Sequence, residues 1–319
     1  MKIGIVLCTY NGERYLAEQL DSIFAQERLP DEVLVQDDGS SDGTLGILDS
    51  YAAKAPFPLN VVRNPQNLGF VRNFELAVTR CRADVIAMSD QDDCWRRDKL
   101  KNFEEIFRAD RRIGVLFSDA EMVDECLAPL GYRLLQALMV SDSDLERIHR
   151  SDFLPVLLRR NICPGATMAF RAERRSHMLP IPEGAYHDEW IALIAAVFDE
   201  LGSCPDPLIR YRQHAANLLP LRPEGALERI RKALRPIGYK EDLRRLNVIE
   251  QLHERVRALG CRPEVLAEVK GKLDHVRMRT SLPSSRLHRL RPVIRELASG
   301  RYAKYSSWRG AVRDLVIPR

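Results

Sequence analysis

The chain has 319 residues, of which 45% are hydrophobic and 29% charged, and its 49 basic and 45 acidic side chains leave a formal net charge of +4. That length suggests about two domains with ample apolar material for a core, and the composition excludes a disordered or collagen-like chain. The small net charge hides an asymmetry: residues 221–319 hold 24 Lys or Arg against 11 Asp or Glu, or +13, which leaves 25 against 34, or −9, for residues 1–220.

Such sign asymmetry points to contact with nucleic acid or an anionic membrane. No apolar window approaches the roughly 18 residues of a membrane span; the best candidate, Ile191 to Phe198, is far too short. The N-terminal MKIGIVLCTYNGERY reads as a buried strand rather than a signal peptide. Seven scattered cysteines with no C-x-x-C spacing argue against a disulfide framework or zinc ribbon and fit a reducing cytoplasm.

In chain order, Lys2 to Cys8 is a β-branched apolar run, and Arg14 to Gln26 carries Leu16, Leu20, Ile23 and Phe24 at helical spacing. Glu32 to Gln36 reads as a strand, Thr44 to Ala53 as a helix, Leu59 to Arg63 as a strand, Phe70 to Cys81 as a helix and Asp84 to Met88 as a fourth strand. This alternation implies βαβ units around a largely parallel sheet, and such sheets bind ligands beyond the carboxyl ends of their strands. The polar clusters TYNGE, DDGSSDGT and SDQDD each follow a strand. Further strands are expected at Ile113 to Ser118, Ala166 to Phe170 and Pro205 to Arg212, with an apolar helix at Tyr186 to Phe198. Beyond residue 220 helical stripes take over: Leu227, Ile230 and Leu234, stopped by Pro236; then Leu243, Leu246, Ile249, Leu252, Val256 and Leu259; then Leu266, Val269, Leu273 and Val276; and last Leu290, Ile294 and Leu297.

In SDQDD, three carboxylates within four residues repel one another unless a cation lies among them, and Mg²⁺ or Mn²⁺ favours such oxygens while keeping positions for substrate phosphates. Asp90 and Asp92, two apart, face one side of an extended segment. Alone, the pair reads equally well as a metal site or as a solvated turn or helix cap. DDGSSDGT, with Gly39 and Gly43, reads on its own as an Asp- and Gly-rich turn, although a carboxylate fixed there is able to accept from a base or ribose.

Together CTYNGERYLAEQLDSIFAQ, VLVQDDGSSDGT, NLGFVRN and SDQDDCW resemble the successive signatures of the family 2 glycosyltransferases, densely over about the first 100 residues and more thinly through CPGATMAF, HDEW and YRQHAAN. SDQDDCW and YHDEW look most like bacterial rhamnosyltransferase-type members. The resemblance implies an α/β fold of GT-A type, with a Rossmann-like, mostly parallel central sheet, over residues 1–220. A basic, mainly helical C-terminal region, residues 221–319, follows it. It also implies inverting, metal-dependent transfer of a sugar from a nucleoside diphosphate donor, with dTDP-rhamnose the suggested donor, to a glycan or lipid-linked acceptor in bacterial surface polysaccharide or O-antigen synthesis.

By the same resemblance, Thr9, Tyr10 and Glu13 line the base and ribose, Asp38 holds the base, and Arg72 lies near the nucleotide. Asp90 and Asp92 form the D-x-D pair, Asp92 coordinating the Mg²⁺ or Mn²⁺; His214 lies near metal and diphosphate, and Asp188 is the catalytic base. Read without the resemblance, Asp188 is an N-cap of the helix WIALIAAVF, Glu189 is an adjacent competitor, and His214 is a structural hydrogen-bonding residue. Trp95 and Trp190 read by default as core, and Gly165 either lets backbone approach a ligand or makes a simple turn.

The basic third combines stripes with a tail, RYAKYSSWRGAVRDLVIPR, that interleaves Tyr302, Tyr305 and Trp308 with basic residues. It reads equally as an attachment to an anionic bilayer, placing the chain in the cytoplasm at the inner face of the membrane, or as a helical extension packed on the catalytic part or a second subunit. Nucleic acid is not expected, because no zinc finger, RRM or helix-turn-helix signature is present. Two rival readings of the whole are an inactive relative that binds sugar nucleotide or partners, and a nucleotidyltransferase, whose Gly- and Arg-rich phosphate loop is missing here.

Overall fold

The computed structural model describes residues 1–215, 217 and 239–317. Its first half alternates as expected: β1 (Ile3–Thr9), α1 (Leu16–Phe24), β2 (Glu32–Asp37), α2 (Thr44–Ala52), β3 (Leu59–Arg63), α3 (Phe70–Arg80) and β4 (Val85–Ser89). Every residue of β1 and β4 is buried, which is why these strands read as continuous apolar runs rather than alternating ones. β3, β2, β1 and β4 pair in parallel in that spatial order. The chain therefore winds outward from β1 through β2 and β3, then returns to β4 on the other side of β1. The strand order reverses at β1 and β4, and the loops that leave these two strands flank the switch point where sheets of this kind bind ligands.

The second half continues the sheet with β5 (Cys94–Trp95), α4 (Lys99–Ala109), β6 (Val115–Val123) and β7 (Pro129–Arg133). The short helices α5 (Leu134–Ala137), α6 (Asp142–His149) and α7 (Leu154–Leu157) follow, then β8 (Met168–Arg171), α8 (Arg175–Met178), α9 (His187–Val197) and β9 (Leu201–Arg212). β8 runs antiparallel between β4 and β6, while β6 and β9 pair in parallel, so the long ladders of the sheet are parallel and the antiparallel ones are short. The expected strand 205–212 in fact begins at Leu201. Pro205 and Pro207 lie where the ladder to β6 shifts register, and a bulge tolerates the missing N–H groups. Helix α4 was not among the expected elements; its Leu100, Phe103 and Phe107 recur at helical spacing and are all buried.

Five C-terminal helices complete the described residues: α10 (Tyr239–Ala258), α11 (Pro263–Thr280), α12 (Arg286–Ala298), α13 (Arg301–Tyr305) and α14 (Trp308–Val316). α10 and α11 turn Val248, Ile249, Leu252, Val256, Val269 and Leu273 into the same apolar cluster that holds Phe170, Trp190 and Ile191 of the sheet domain. Two expectations change here. Leu290, Ile294 and Leu297 face solvent while Val293 turns inward, and of the tail aromatics Tyr302 and Tyr305 are buried, with only Trp308 exposed. The boundary expected near residue 220 and the stripe of Leu227, Ile230 and Leu234 lie outside the described residues.

Candidate active site

Three loops leave the carboxyl ends of β1, β2 and β4 and are stitched together by side chains from all three. Thr9 Oγ1 donates to Asp37 Oδ2 at 2.8 Å, Asn11 N to Ser40 Oγ at 2.9 Å, Gly12 N to Thr44 Oγ1 at 2.8 Å, and Gly43 N to Glu13 Oε2 at 2.6 Å. Gln91 ties in the third loop, accepting from Tyr10 N at 2.8 Å and donating to Tyr10 O at 3.1 Å. Gly39 makes the second loop possible with φ +82°, a left-handed angle that a side chain disfavours. Asp38 is buried, and its carboxylate accepts from Leu68 N, Gly69 N and Asn64 Nδ2 at 2.8–2.9 Å. It thereby fixes the loop that enters α3. Arg72, in the first turn of α3, is exposed and pairs with Glu75 at 2.6 Å.

The acidic loop after β4 forms the centre. Burial above all, together with the Asp92 and Asp188 charges, raises the Asp90 carboxyl to about 7 against the opposing pull of Lys99. Asp93 is raised for the same leading reason and accepts from Arg212 N at 3.0 Å. Lys99 is the buried countercharge: it lies 3.7 Å over the Trp95 ring and donates to Ala166 O at 2.8 Å. Trp95 is accordingly core, as is Trp190, whose Nε1 donates to Met178 O at 2.7 Å.

His214, just past β9, brings its Nε2 within 2.8 Å of Asp92 Oδ2 across 122 residues of sequence. Arg212 builds this wall. Its guanidinium donates to Asp92 O at 2.7 Å and to Glu125 O, pairs with Glu18, and lies 4.4 Å from the centroid of the Tyr15 ring, which in turn packs on His214 at 4.8 Å. A buried guanidinium satisfied by backbone carbonyls and one carboxylate is a rigid strut. Nothing in YRQHAAN distinguishes it from a surface arginine.

Asp188 faces the acidic centre from α9. The helix N-cap is Tyr186, so Asp188 lies inside the first turn and is not the cap. Its Oδ2 accepts from Asn161 Nδ2 at 3.0 Å and its Oδ1 from Glu189 N at 2.7 Å. Burial raises this carboxyl to about 6 against the pull of those hydrogen bonds. Glu189 is engaged elsewhere, paired at 3.0 Å with Arg244 of α10. Arg244 also donates to Gly184 O at 2.9 Å and lies 4.5 Å from the Tyr186 ring centroid, so α10 clamps the segment that carries Asp188. Gly165 backs the same segment: a Cβ there would stand 2.5 Å from His187 Nε2, so the glycine serves close packing rather than a turn alone. His187 stacks on Phe74 at 4.2 Å, and burial pushes its pKa down to about 3, leaving it a neutral packing group.

The structure thus gathers Asp90, Asp92, Asp188 and His214 around one centre and sets Thr9, Tyr10, Glu13 and Asp38 in the adjoining loops. Sequence reasoning missed Lys99, Arg212, Asn161 and Arg244, which act through contacts distant in the chain. Asp92 and His214 fit a hard divalent cation as one carboxylate and one imidazole donor. Among the described residues no three or more His, Cys, Asp or Glu side chains are arranged to enclose an ion. A cation held here keeps positions for phosphate and water oxygens, as Mg²⁺ commonly does.

The fold is of GT-A type, as in solved glycosyltransferase structures. Over 98% of this chain the structure overlays 92% of the Staphylococcus aureus TarS 1–349 crystal structure in complex with UDP-GlcNAc, at a TM-score of 0.57 and 19% identity. Over 99% of this chain it overlays 87% of the mannosyltransferase PcManGT from Pyrobaculum calidifontis in complex with GDP-Man and Mn²⁺, at a TM-score of 0.54 and 20% identity. Residues 4–127 match the model of Glycosyl transferase family 2. An uncharacterized protein of Mycobacterium tuberculosis is 28% identical over 217 residues, 67% of this chain and 59% of the relative's length. The dTDP-rhamnosyl transferase RfbG of Shigella flexneri is 35% identical over 100 residues, 30% of this chain and 35% of that protein.

Proposed function

We propose that the chain transfers a sugar from a nucleoside diphosphate donor to an acceptor hydroxyl with inversion at the anomeric carbon. The observation that carries this reading is one acidic centre: Asp188 on α9, held by Asn161, and Asp92, paired with His214, both act through their charge on the Asp90 carboxyl. Asp188 takes the proton of the acceptor hydroxyl as that oxygen bonds to the anomeric carbon, and the bond from that carbon to the diphosphate breaks, releasing the nucleoside diphosphate. One displacement needs one base and no carboxylate nucleophile. Asp92 and His214 would hold Mg²⁺ or Mn²⁺, which when bound neutralises charge on the leaving diphosphate. The Mn²⁺ and GDP-Man of the Pyrobaculum enzyme support this reading.

The donor-binding set of this proposal is Tyr10, which is exposed, with Thr9, Glu13 and Asp38 holding the loops around it, together with Arg72 and Asp90. Likeness to RfbG favours dTDP-rhamnose as donor, and hence a glycan or lipid-linked acceptor in surface polysaccharide or O-antigen assembly at the inner face of a bacterial membrane.

The test is release of nucleoside diphosphate from a panel of nucleotide sugars with Mn²⁺. Asp188→Asn should lower kcat about 10³-fold while leaving donor affinity nearly unchanged. An unaltered kcat would remove Asp188 from the mechanism. Pyrophosphate release from a nucleoside triphosphate and a sugar phosphate would instead identify a nucleotidyltransferase, and binding without any release an inactive relative.

A further inference from the structure

Helices α12 and α14 pack on each other, and Arg289 locks them: buried, it donates to Pro283 O, Ser284 O at 3.0 Å, Asp314 O at 3.1 Å and Ile317 O. Each helix nonetheless leaves an apolar stripe uncovered. On α12 the stripe is Leu287, Leu290, Ile294 and Leu297, with Leu287 78% and Ile294 57% exposed. These four positions fall on one side of the helix at a 3.6-residue repeat. On α14 it is Trp308, 67% exposed, with Val312 and Val316. Exposed arginines border the α12 stripe, Arg291 and Arg295 along one edge and Arg286 at the other.

Acids are missing from this surface. Residues 286–317 contain eight Lys or Arg and only two acids, Glu296 and Asp314. Both acids are buried and spoken for: Glu296 pairs with His275 and Arg301, Asp314 with Arg279 and Tyr302.

We infer that the outer faces of α12 and α14 form a preformed docking surface for an anionic lipid bilayer. Apolar side chains enter the boundary between headgroups and acyl chains, flanking arginines meet lipid phosphates, and an exposed indole suits the same depth. Charge complementarity selects this occupant over a second copy of the chain. In a two-fold contact the arginines bordering the stripe would meet their own copies with no exposed acid between them. A nucleic acid would satisfy the arginines and leave the leucines wet. Attachment is read without turnover, so its failure and a failure of sugar transfer are separate results.

The test is density-gradient flotation of the full chain with phosphatidylcholine vesicles, with and without phosphatidylglycerol. The wild type should float with the anionic vesicles and remain behind with the neutral ones. Leu287→Glu combined with Ile294→Glu, both solvent-facing, should weaken partitioning at least about tenfold, and Arg295→Glu alone should weaken it by a similar factor. Circular dichroism melting at the wild-type temperature shows that either variant is folded. No flotation of the wild type, or flotation unaffected by both variants, overturns the assignment. So does a wild-type dimer in sedimentation equilibrium that Leu287→Glu/Ile294→Glu dissociates, which would give the surface to a second copy.

Discussion

At the scale of single residues, the site depends on what surrounds a carboxylate. Asp38 is buried in its loop and Asp188 half-buried in the first turn of α9, yet Asp38 is held by three hydrogen bonds within its own loop system while desolvation is the leading cause that raises Asp188 to about 6. A carboxyl with that value is mostly ionised at neutral pH and still a competent proton acceptor. The transfer rate should therefore rise with pH up to about 6 and level off above it, and that acid limb should vanish from the residual activity of Asp188→Asn. A wild-type profile without the limb would mean that another group accepts the proton. The sign for stability is the opposite of an ordinary salt-bridged acid. The folded state binds the Asp188 proton more tightly than the unfolded chain does, so this group's contribution declines as pH rises from 3.8 through about 6.

At the scale of elements, the helices beyond the sheet domain reach into the site. Arg244 on α10 joins Glu189, Gly184 and Tyr186, three positions around Asp188, while Val248, Ile249, Leu252 and Val256 fix α10 in the shared core. Removing the guanidinium leaves the nearly buried Glu189 carboxylate without its partner. Arg244→Ala should cost about 2 kcal/mol in chemical denaturation, below the value for a fully buried pair because Arg244 is partly exposed. It should also lower kcat more than donor affinity, since the donor loops lie on other elements. Equal losses in both, or no change in kcat, would show that α10 merely packs on the domain. Arg212 is the corresponding strut on the other wall, where a strand end rather than a helix aims His214 at Asp92.

At the scale of the whole molecule, the two charge regimes occupy different surfaces. The acidic loop after β4 lies at the switch point between β1 and β4, and the mutual repulsion of its carboxylates is electrostatically costly. Binding of Mn²⁺ should relieve it and raise the melting temperature, because a ligand that prefers the native state stabilises it by mass action. Asp92→Ala should abolish most of that rise; an undiminished rise would place the ion elsewhere. The described residues contain no helix long and apolar enough to cross a membrane.

Read alone, the chain disclosed the alternating first half almost residue by residue, because strands buried on both faces and helices with one apolar stripe leave local, periodic signals. It also disclosed the loops that would meet, since β1, β2 and β4 each hand over to a polar cluster at the same end of one sheet. The acids proposed to carry function were visible as a resemblance carried by short motifs. What needed the tertiary structure is everything settled between distant segments. His214 meets Asp92 across 122 residues, Asp188 proves to lie within a turn rather than at its cap, and Lys99 and Arg212 are buried countercharges. The basic third changes most. Its excess of +13 is a number from composition, but only packing shows that Glu296 and Asp314 turn inward while Leu287, Ile294 and Trp308 turn out. Helical periodicity says that a stripe exists; which stripe the core covers depends on neighbours that sequence spacing does not name.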